Sequence, residues 1–210
     1  MIKPYKISVP KSTLNNIYKK VKAYPWKMMQ NVNGWEYGTN YNFLKKISKY
    51  WVSKYNWNKF ENKINSFKNY KTNVDGINLH FIIEKSKNPK SRPLLLLHGW
   101  PGSVIEFFDI IPRLAHPEKF GGKIEDGFDV IVPSLPGFGF STPIKKALGP
   151  RKIGRILNKF MVKNLGHKNY IVQGGDWGAT IASWIGFDSA KNCKGIHINC
   201  LPIRHPKGPK

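Results

Sequence analysis

The sequence contains only two cysteines and no apolar run long enough to cross a bilayer. Cys193 and Cys200 fit neither a zinc site nor a CxxC redox motif, so we expect a reducing compartment, no disulfide framework and no bound metal. The longest apolar run, around Leu94–Leu97, falls far short of the roughly 18–20 residues of a transmembrane helix. The basic N-terminus has no apolar segment behind it, so we predict neither a secretory signal nor a transmembrane segment.

Acidic residues are also scarce. The chain has 12 Asp and Glu against 35 Lys and Arg, which gives a formal net charge of +23 at pH 7. Such an excess attracts nucleic acids and anionic membrane surfaces. It is nearly all lysine, however, and no arginine cluster, zinc-finger spacing or RNP-like motif accompanies it. Mutational bias explains it better than a nucleic-acid function, so we expect no specific nucleic-acid partner and weak attraction to a membrane surface.

The apolar residues that are present suffice for a folded protein. Of the 210 residues, 40% are hydrophobic and 13% aromatic, which excludes disorder. The pattern divides the chain into a helical, aromatic-rich region over residues 1–68 and a strand–helix region over residues 69–210. We interpret these as two domains.

Two amphipathic helices are predicted in the first region. The first begins at an N-cap residue, Ser12 or Thr13. Their apolar stripes are Leu14, Ile17 and Val21 in the first helix, and Leu44, Ile47, Trp51 and Tyr55 in the second. Lysines interleave with the aromatic residues, as on some nucleic-acid surfaces, but this spacing favours a buried stripe with a solvated lysine face.

The second region changes to a strand period. Two strand-like runs flank Asp75-Gly76, a hairpin signal, and the run Leu94–Leu97 is typical of a strand buried on both faces. Further apolar runs, "FDVIVPSLP", "NYIVQGG" and "KGIHINC", alternate with helical patterns near 103–115, 151–165 and 178–189. Strand–helix repetition predicts an α/β fold with a mostly parallel sheet.

The segment "GGDWG" has the pattern of a nucleophile elbow. Gly174 and Gly178 flank Asp176 at small–x–nucleophile–x–small spacing, where a strand turns into a helix. A carboxylate in this place is already an anion at neutral pH and attacks by displacement, so its electrophile is an sp3 carbon with a leaving group, an epoxide or an alkyl halide. The resulting ester needs an oxyanion hole, for which the backbone amides of Trp177 and Trp100 are the candidates.

The alternative is that Asp176 only caps the following helix. The ordered set "HGWPG", "PGFGFS" and "GGDWG", each after a predicted strand, favours the hydrolase arrangement. Among the histidines, His98 lies too near the backbone turn to be a base, so we expect a buried or orienting role. His197 falls within a predicted strand and His205 in a Pro/Lys tail, so neither is our candidate base.

These motifs resemble the epoxide hydrolases of the microsomal type, including the juvenile hormone epoxide hydrolases of insects. The resemblance covers essentially the whole chain, from "PYKISVPKSTLNNI" and "NGWEYGTNYNFL" to "LLLLHGWPGSVIEFFDIIP", "YIVQGGDWGATIASWI" and "GIHINC". It implies an α/β-hydrolase core, incomplete after its sixth strand, preceded by the N-terminal epoxide hydrolase region. It also implies that Asp176 opens a small apolar epoxide, that the Trp100 and Trp177 amides form the oxyanion hole, and that no cofactor takes part.

The same resemblance implies two departures. The family attaches to the endoplasmic reticulum through a hydrophobic N-terminal segment, and this sequence begins where that anchor would end, so we expect the reticulum surface or the cytoplasm. The family's acid, its general-base histidine and the two tyrosines of its lid follow the sixth strand, so we expect none of them in these 210 residues. Three interpretations stay open: an epoxide hydrolase fragment whose full-length form converts an epoxide to a diol through an Asp-alkyl ester, a non-catalytic binding protein of this fold, and a basic membrane or nucleic-acid module. For the first, we expect no turnover by these 210 residues alone.

Overall fold

The computed structural model of the chain describes residues 1–30 and 34–200. They form two compact units. One is Ile7–Lys63, and the other combines Met1–Lys6 with the described chain from Ile64 onward.

The helical unit contains α1 (Lys11–Lys22), α2 (Tyr41–Ser53) and the start of α3 (Trp57–Asn65). The predicted cap of α1 is wrong: Pro10 occupies the N-cap position without a side-chain hydrogen bond, and Ser12 lies inside the first turn. Proline suits a helix start because its φ is already fixed near the helical value. Asn40 caps α2, where its side chain accepts a 3.0 Å hydrogen bond from the Phe43 amide.

The apolar stripe of α2 is less buried than expected. Ile47 and Trp51 expose 44% and 43% of their surface, and α2 has no fully buried residue. Tyr55, predicted on the same stripe, lies two residues beyond the end of α2 and is 39% exposed. All three line an open apolar groove together with Leu14 and Ile17 of α1. Periodicity therefore identified the face that pairs with α1, whereas burial depends on what covers that face.

The second unit is built on a seven-stranded sheet in the order β1-β2-β3-β5-β4-β6-β7. Its strands are β1 (Lys3–Pro4), β2 (Asn69–Val74), β3 (Ile77–Glu84), β4 (Pro93–Leu97), β5 (Asp129–Pro133), β6 (Tyr170–Gly175) and β7 (Cys193–Asn199). The pairs β1–β2, β2–β3 and β3–β5 are antiparallel, and β5–β4, β4–β6 and β6–β7 are parallel. Three of these four parallel strands, β4, β5 and β6, carry the three motifs at their carboxyl ends.

The hairpin between β2 and β3 turns at the two residues predicted for it. Asp75 and Gly76 have φ values of 51° and 82°. Positive φ at both central residues matches the right-handed twist of the flanking strands. The strand at Leu94–Leu97 is also confirmed, and all four of its leucines are buried.

Helices α4 (Ile111–Ala115), α5 (Pro150–Lys159) and α6 (Trp177–Asp188) connect the strands. The helix predicted near 103–115 is wrong in its first half, which is a 3-10 turn at Val104–Phe107 followed by α4. Pro112 lies in the first turn of α4, where its missing N–H costs no helical hydrogen bond, and a continuous helix would place it in the interior. Within residues 1–30 and 34–200, each helix is too short or too polar to span a membrane.

Candidate active site

The loops that follow β4, β6 and β7 meet at the carboxyl edge of the parallel strands. They enclose an open cavity of about 410 Å³. Its lining consists of Gly99, Trp100, Pro101, Gly102, Glu106, Gly175, Asp176, Asn199 and Cys200. Open α/β sheets bind ligands at this edge. The structure thus brings together Asp176 and Trp100, two of the three predicted site residues.

Asp176 lies on a strained turn between β6 and α6. Its φ of 52° and ψ of −120° are unusual for any residue other than glycine. The turn requires glycines on both sides: a Cβ on Gly174 would lie 2.2 Å from the carbonyl oxygen of Gly178, and one on Gly178 would lie 2.1 Å from that of Leu97. The two small residues of the elbow pattern are therefore explained by backbone contact.

The side chain of Asp176 points away from the helix that it precedes. Asp176 holds the N-cap position of α6, yet its side chain makes no capping hydrogen bond. Its Oδ1 instead accepts a 2.9 Å hydrogen bond from the backbone amide of Trp100. Its Oδ2 has no hydrogen-bond partner among the described residues. The capping interpretation of this residue is thus wrong, and the carboxylate faces the cavity with one oxygen held and one free.

Two tryptophans flank the carboxylate through their backbone. Trp177 is the first residue of α6, so its amide is one of the unpaired N–H groups of a helix start, and it makes no hydrogen bond to the Asp176 side chain. The side chains of Trp100 and Trp177 are 67% and 40% exposed. The Trp100 amide therefore contacts the carboxylate as expected, and the Trp177 amide lies beside it without that contact.

His98 connects two of the loops. Its Nε2 accepts a 3.0 Å hydrogen bond from the Leu135 amide, so its Nδ1 carries the proton and donates to the Gly99 carbonyl at 3.0 Å. Burial lowers the pKa of His98, only partly offset by the Gly99 hydrogen bond, and keeps the ring neutral. This position agrees with the expected orienting role, because the ring fixes the residue next to Trp100.

None of the other histidines in the described ranges is hydrogen-bonded to Asp176. His197 is an exposed residue of β7 that pairs with Gln173, and His205 lies outside the described residues. The same ranges contain no group of three His, Cys, Asp or Glu side chains that could hold a metal ion.

Glu106 is a site residue that the sequence analysis did not identify. It lies in the 3-10 turn after the Trp100 loop and lines the cavity with Asp176. Burial raises the pKa of the Glu106 carboxyl, hydrogen bonds from the Gly99 and Ser103 amides oppose that shift, and the Asp176 carboxylate adds to it. The signal in the sequence is the spacing of Gly102 and Glu106, which puts a carboxylate four residues after a glycine of the Trp100 loop.

The strand order, together with the strand–turn–helix elbow after β6, defines an α/β-hydrolase fold, and an aspartate lies at that elbow. Comparison with protein families agrees. Residues 2–107 match the family described as "Epoxide hydrolase N terminus", and residues 92–207 match "alpha/beta hydrolase fold". The chain belongs to the epoxide hydrolase family, which confirms the resemblance drawn from its motifs.

Individual relatives extend over nearly the whole chain. It is 40% identical over 207 residues to a putative epoxide hydrolase of Stigmatella aurantiaca, covering 98% of this chain and 47% of that protein. It is 36% identical over 209 residues to juvenile hormone epoxide hydrolase 1 of Ctenocephalides felis, covering 98% and 44%. The crystal structure of the juvenile hormone epoxide hydrolase from Bombyx mori superposes with a TM-score of 0.84 at 34% identity, covering 98% and 49%. The chain thus spans about half the length of the relatives it matches.

Proposed function

We propose that Asp176 is a nucleophile that opens an epoxide and forms an alkyl ester with the protein. The observation that carries this proposal is the carboxylate itself. It is held on a strained elbow and caps no helix, and among residues 1–30 and 34–200 its one hydrogen bond is from the Trp100 amide to Oδ1. A carboxylate held in this way at the carboxyl edge of the sheet can attack an electrophile in the cavity.

The first chemical step uses the free oxygen. Oδ2 of Asp176 bonds to an epoxide carbon as the ring C–O bond breaks. The electron pair of that bond stays on the epoxide oxygen, which takes a proton from solvent water. No base is needed for this step, because the carboxylate is already an anion.

The second step uses the held oxygen. When water attacks the ester carbonyl carbon, negative charge develops on Oδ1, 2.9 Å from the Trp100 nitrogen. The Trp177 amide at the start of α6 is the second donor for that charge, and the positive end of the helix dipole adds to it. We assign the alkylation step to Asp176 and the oxyanion site to the Trp100 and Trp177 amides.

The relatives indicate the substrate class. They are named epoxide hydrolases, and several are named juvenile hormone epoxide hydrolases. In this chain, the Trp100 and Pro101 side chains stand at the cavity. We infer a small apolar epoxide as the substrate.

The test is covalent labelling of the whole chain with a reactive epoxide such as styrene oxide, followed by intact mass and peptide mapping. Cys200 is an exposed thiol that lines the same cavity and would also be alkylated, so the experiment is carried out on Cys200→Ser. We expect one adduct on the peptide that contains Asp176, cleaved by hydroxylamine as an ester is, and no adduct after Asp176→Asn. The matched control is Asp126→Asn, an exposed acidic residue outside the cavity, which keeps the adduct. Absence of any ester in Cys200→Ser would support the non-catalytic binding protein instead.

A second part of the proposal concerns location. The net charge of +23 is carried by lysines such as Lys19, Lys20 and Lys22, in the last turn of α1. We propose weak attraction to an anionic membrane surface such as that of the endoplasmic reticulum. Sedimentation with vesicles checks it: we expect binding to vesicles rich in anionic lipid, loss of binding at high salt, and no binding to neutral vesicles.

A further inference from the structure

The loop that presents the Trp100 amide, Gly99–Ser103, is followed three residues later by Glu106, whose carboxylate lies against Gly102. The backbone amides of Gly99 and Ser103 favour the ionised form of the Glu106 carboxyl and so lower its pKa, against the effect of burial. Trp100 lies between these two amides in the chain. Its own amide, adjacent to that of Gly99, is the one that donates to Asp176.

Gly102 makes room for this arrangement. A Cβ on Gly102 would lie 1.4 Å from Oε1 of Glu106, so any side chain at that position would displace the carboxylate. The φ of Gly102 is outside the left-handed region, so the need for glycine here is steric rather than conformational. The Glu106 carboxylate therefore occupies space that is open only because Gly102 has no side chain.

We propose that Glu106 is a positioning residue that holds the Trp100 amide on Oδ1 of Asp176. The consequence for alkylation rests on the function proposed above, whereas the positioning itself does not. Oε1 of Glu106 occupies the space beside Gly102, and the amides at both ends of the Gly99–Ser103 segment favour the ionised carboxylate. The carboxylate is therefore placed to hold this loop in its observed conformation.

A purely structural role for Glu106 is the competing explanation. Ser103 already caps the 3-10 turn, where its side chain accepts from the Ile105 amide. Glu106 is exposed as a residue, although its carboxyl is partly desolvated against the loop. Its removal should therefore leave the global stability nearly unchanged and act on the loop.

The test measures hydrogen exchange and the proton chemical shift of the Trp100 amide. The whole chain is labelled with ¹⁵N-tryptophan, and the Trp100 signal is assigned by its loss in Trp100→Phe. Hydrogen exchange and the amide proton shift are then compared among wild type, Glu106→Ala, Glu106→Gln and Gly102→Ala. The matched control is Glu125→Ala, which removes the same charge from another 3-10 turn outside the cavity.

We expect exchange of the Trp100 amide to accelerate roughly ten- to a hundredfold in Glu106→Ala, the range that corresponds to the loss of a hydrogen bond to a charged group. Its proton shift should move upfield. Gly102→Ala should reproduce the effect, because it displaces the same carboxylate. Glu106→Gln retains one acceptor oxygen and should lie between Glu106→Ala and wild type, while Glu125→Ala should match wild type.

Unchanged Trp100 exchange in both Glu106→Ala and Gly102→Ala would overturn the proposal, as would an equal change in Glu125→Ala. The labelling assay separates this outcome from failure of the proposed function. If wild type forms no ester but Glu106→Ala still releases the Trp100 amide, the positioning role stands and the nucleophile assignment fails. If the ester forms at the same rate with and without Glu106, and the amide is unmoved, the nucleophile assignment stands and the positioning role fails.

Discussion

The backbone nitrogen of Trp100 and Oδ1 of Asp176 lie 2.9 Å apart, although 76 positions separate the two residues in the chain. Parallel pairing of β4 with β6, with Leu97 opposite Gly174, brings the two loops to the same edge of the sheet. The Trp100 amide is therefore held against the oxygen on which the proposed mechanism places negative charge. Such preorganisation is what makes an oxyanion site effective.

The first prediction separates the backbone of Trp100 from its side chain. Trp100→Ala keeps the amide, and the indole that it removes is 67% exposed. We expect the rate of ester formation at Asp176 to fall by less than about tenfold, the equivalent of about 1.4 kcal/mol. The measurement is the time course of the adduct in Cys200→Ser. A loss as complete as that of Asp176→Asn would mean that the indole, rather than the amide, is the functional part.

The second prediction concerns the glycines of the elbow. Gly178→Ala places a Cβ 2.1 Å from the Leu97 carbonyl oxygen, so β4 and α6 must separate. We expect a loss of about 1–3 kcal/mol in the free energy of unfolding, as for other overpacked sites, together with loss of the ester. Urea unfolding measures it. Gly149→Ala serves as the control, since a Cβ there meets nothing within 4 Å and should leave the stability nearly unchanged.

The third prediction concerns the hairpin between β2 and β3. Gly76 has a φ of 82°, and a Cβ there would meet no atom within 4 Å. Gly76→Ala thus imposes backbone strain without a clash, and we expect a loss of about 1 kcal/mol in unfolding free energy. Gly76→Asn should lose less, because asparagine tolerates the left-handed region better than alanine does. Equal stability of Gly76→Asn and Gly76→Ala in urea would contradict this explanation.

Those features that follow from local chemistry could be predicted from the sequence. Asp75-Gly76 demands positive φ at two residues, Leu94–Leu97 has no polar face, and the glycines around Asp176 permit one sharp turn. Each of these patterns has few structural solutions. The hairpin, the buried strand and the elbow were found for that reason.

Other features depend on contacts between distant parts of the chain. The two-residue strand β1 exists only through its pairing with β2, and no local pattern marks it. The apolar residues of α2 that line the groove have the spacing of a buried helix face. That spacing does not predict which other part of the protein covers the face. The role of Glu106 depends on how the Gly99–Ser103 loop folds over it, which residue type and spacing leave open.

The fourth prediction concerns the pH dependence of stability. His80 is fully buried, with Nδ1 2.9 Å from the Ser134 hydroxyl and Nε2 3.0 Å from Oδ1 of Asn69. Burial, with a smaller contribution from Lys71, lowers the pKa of His80 to about 3. In the unfolded chain, His80 has its ordinary pKa of 6.5. Between about pH 6.5 and 3, the unfolded chain therefore binds a proton at His80 that the folded chain does not bind.

The sign of the effect follows from that difference. Above about pH 6.5, His80 is neutral in both the folded and the unfolded state, and its contribution to the free energy of unfolding is fully present. As pH falls below that value, protonation of His80 favours the unfolded state by up to about 1.4 kcal/mol per pH unit.

His80→Gln keeps hydrogen-bonding groups in the pocket but cannot titrate. We expect it to be less stable than wild type at pH 7 and to lose less stability than wild type between pH 7 and pH 5 in urea unfolding. His98 and His167, whose pKa values burial also lowers, contribute with the same sign in both proteins and cancel in the comparison. Parallel pH profiles of wild type and His80→Gln would show that His80 is not the group responsible.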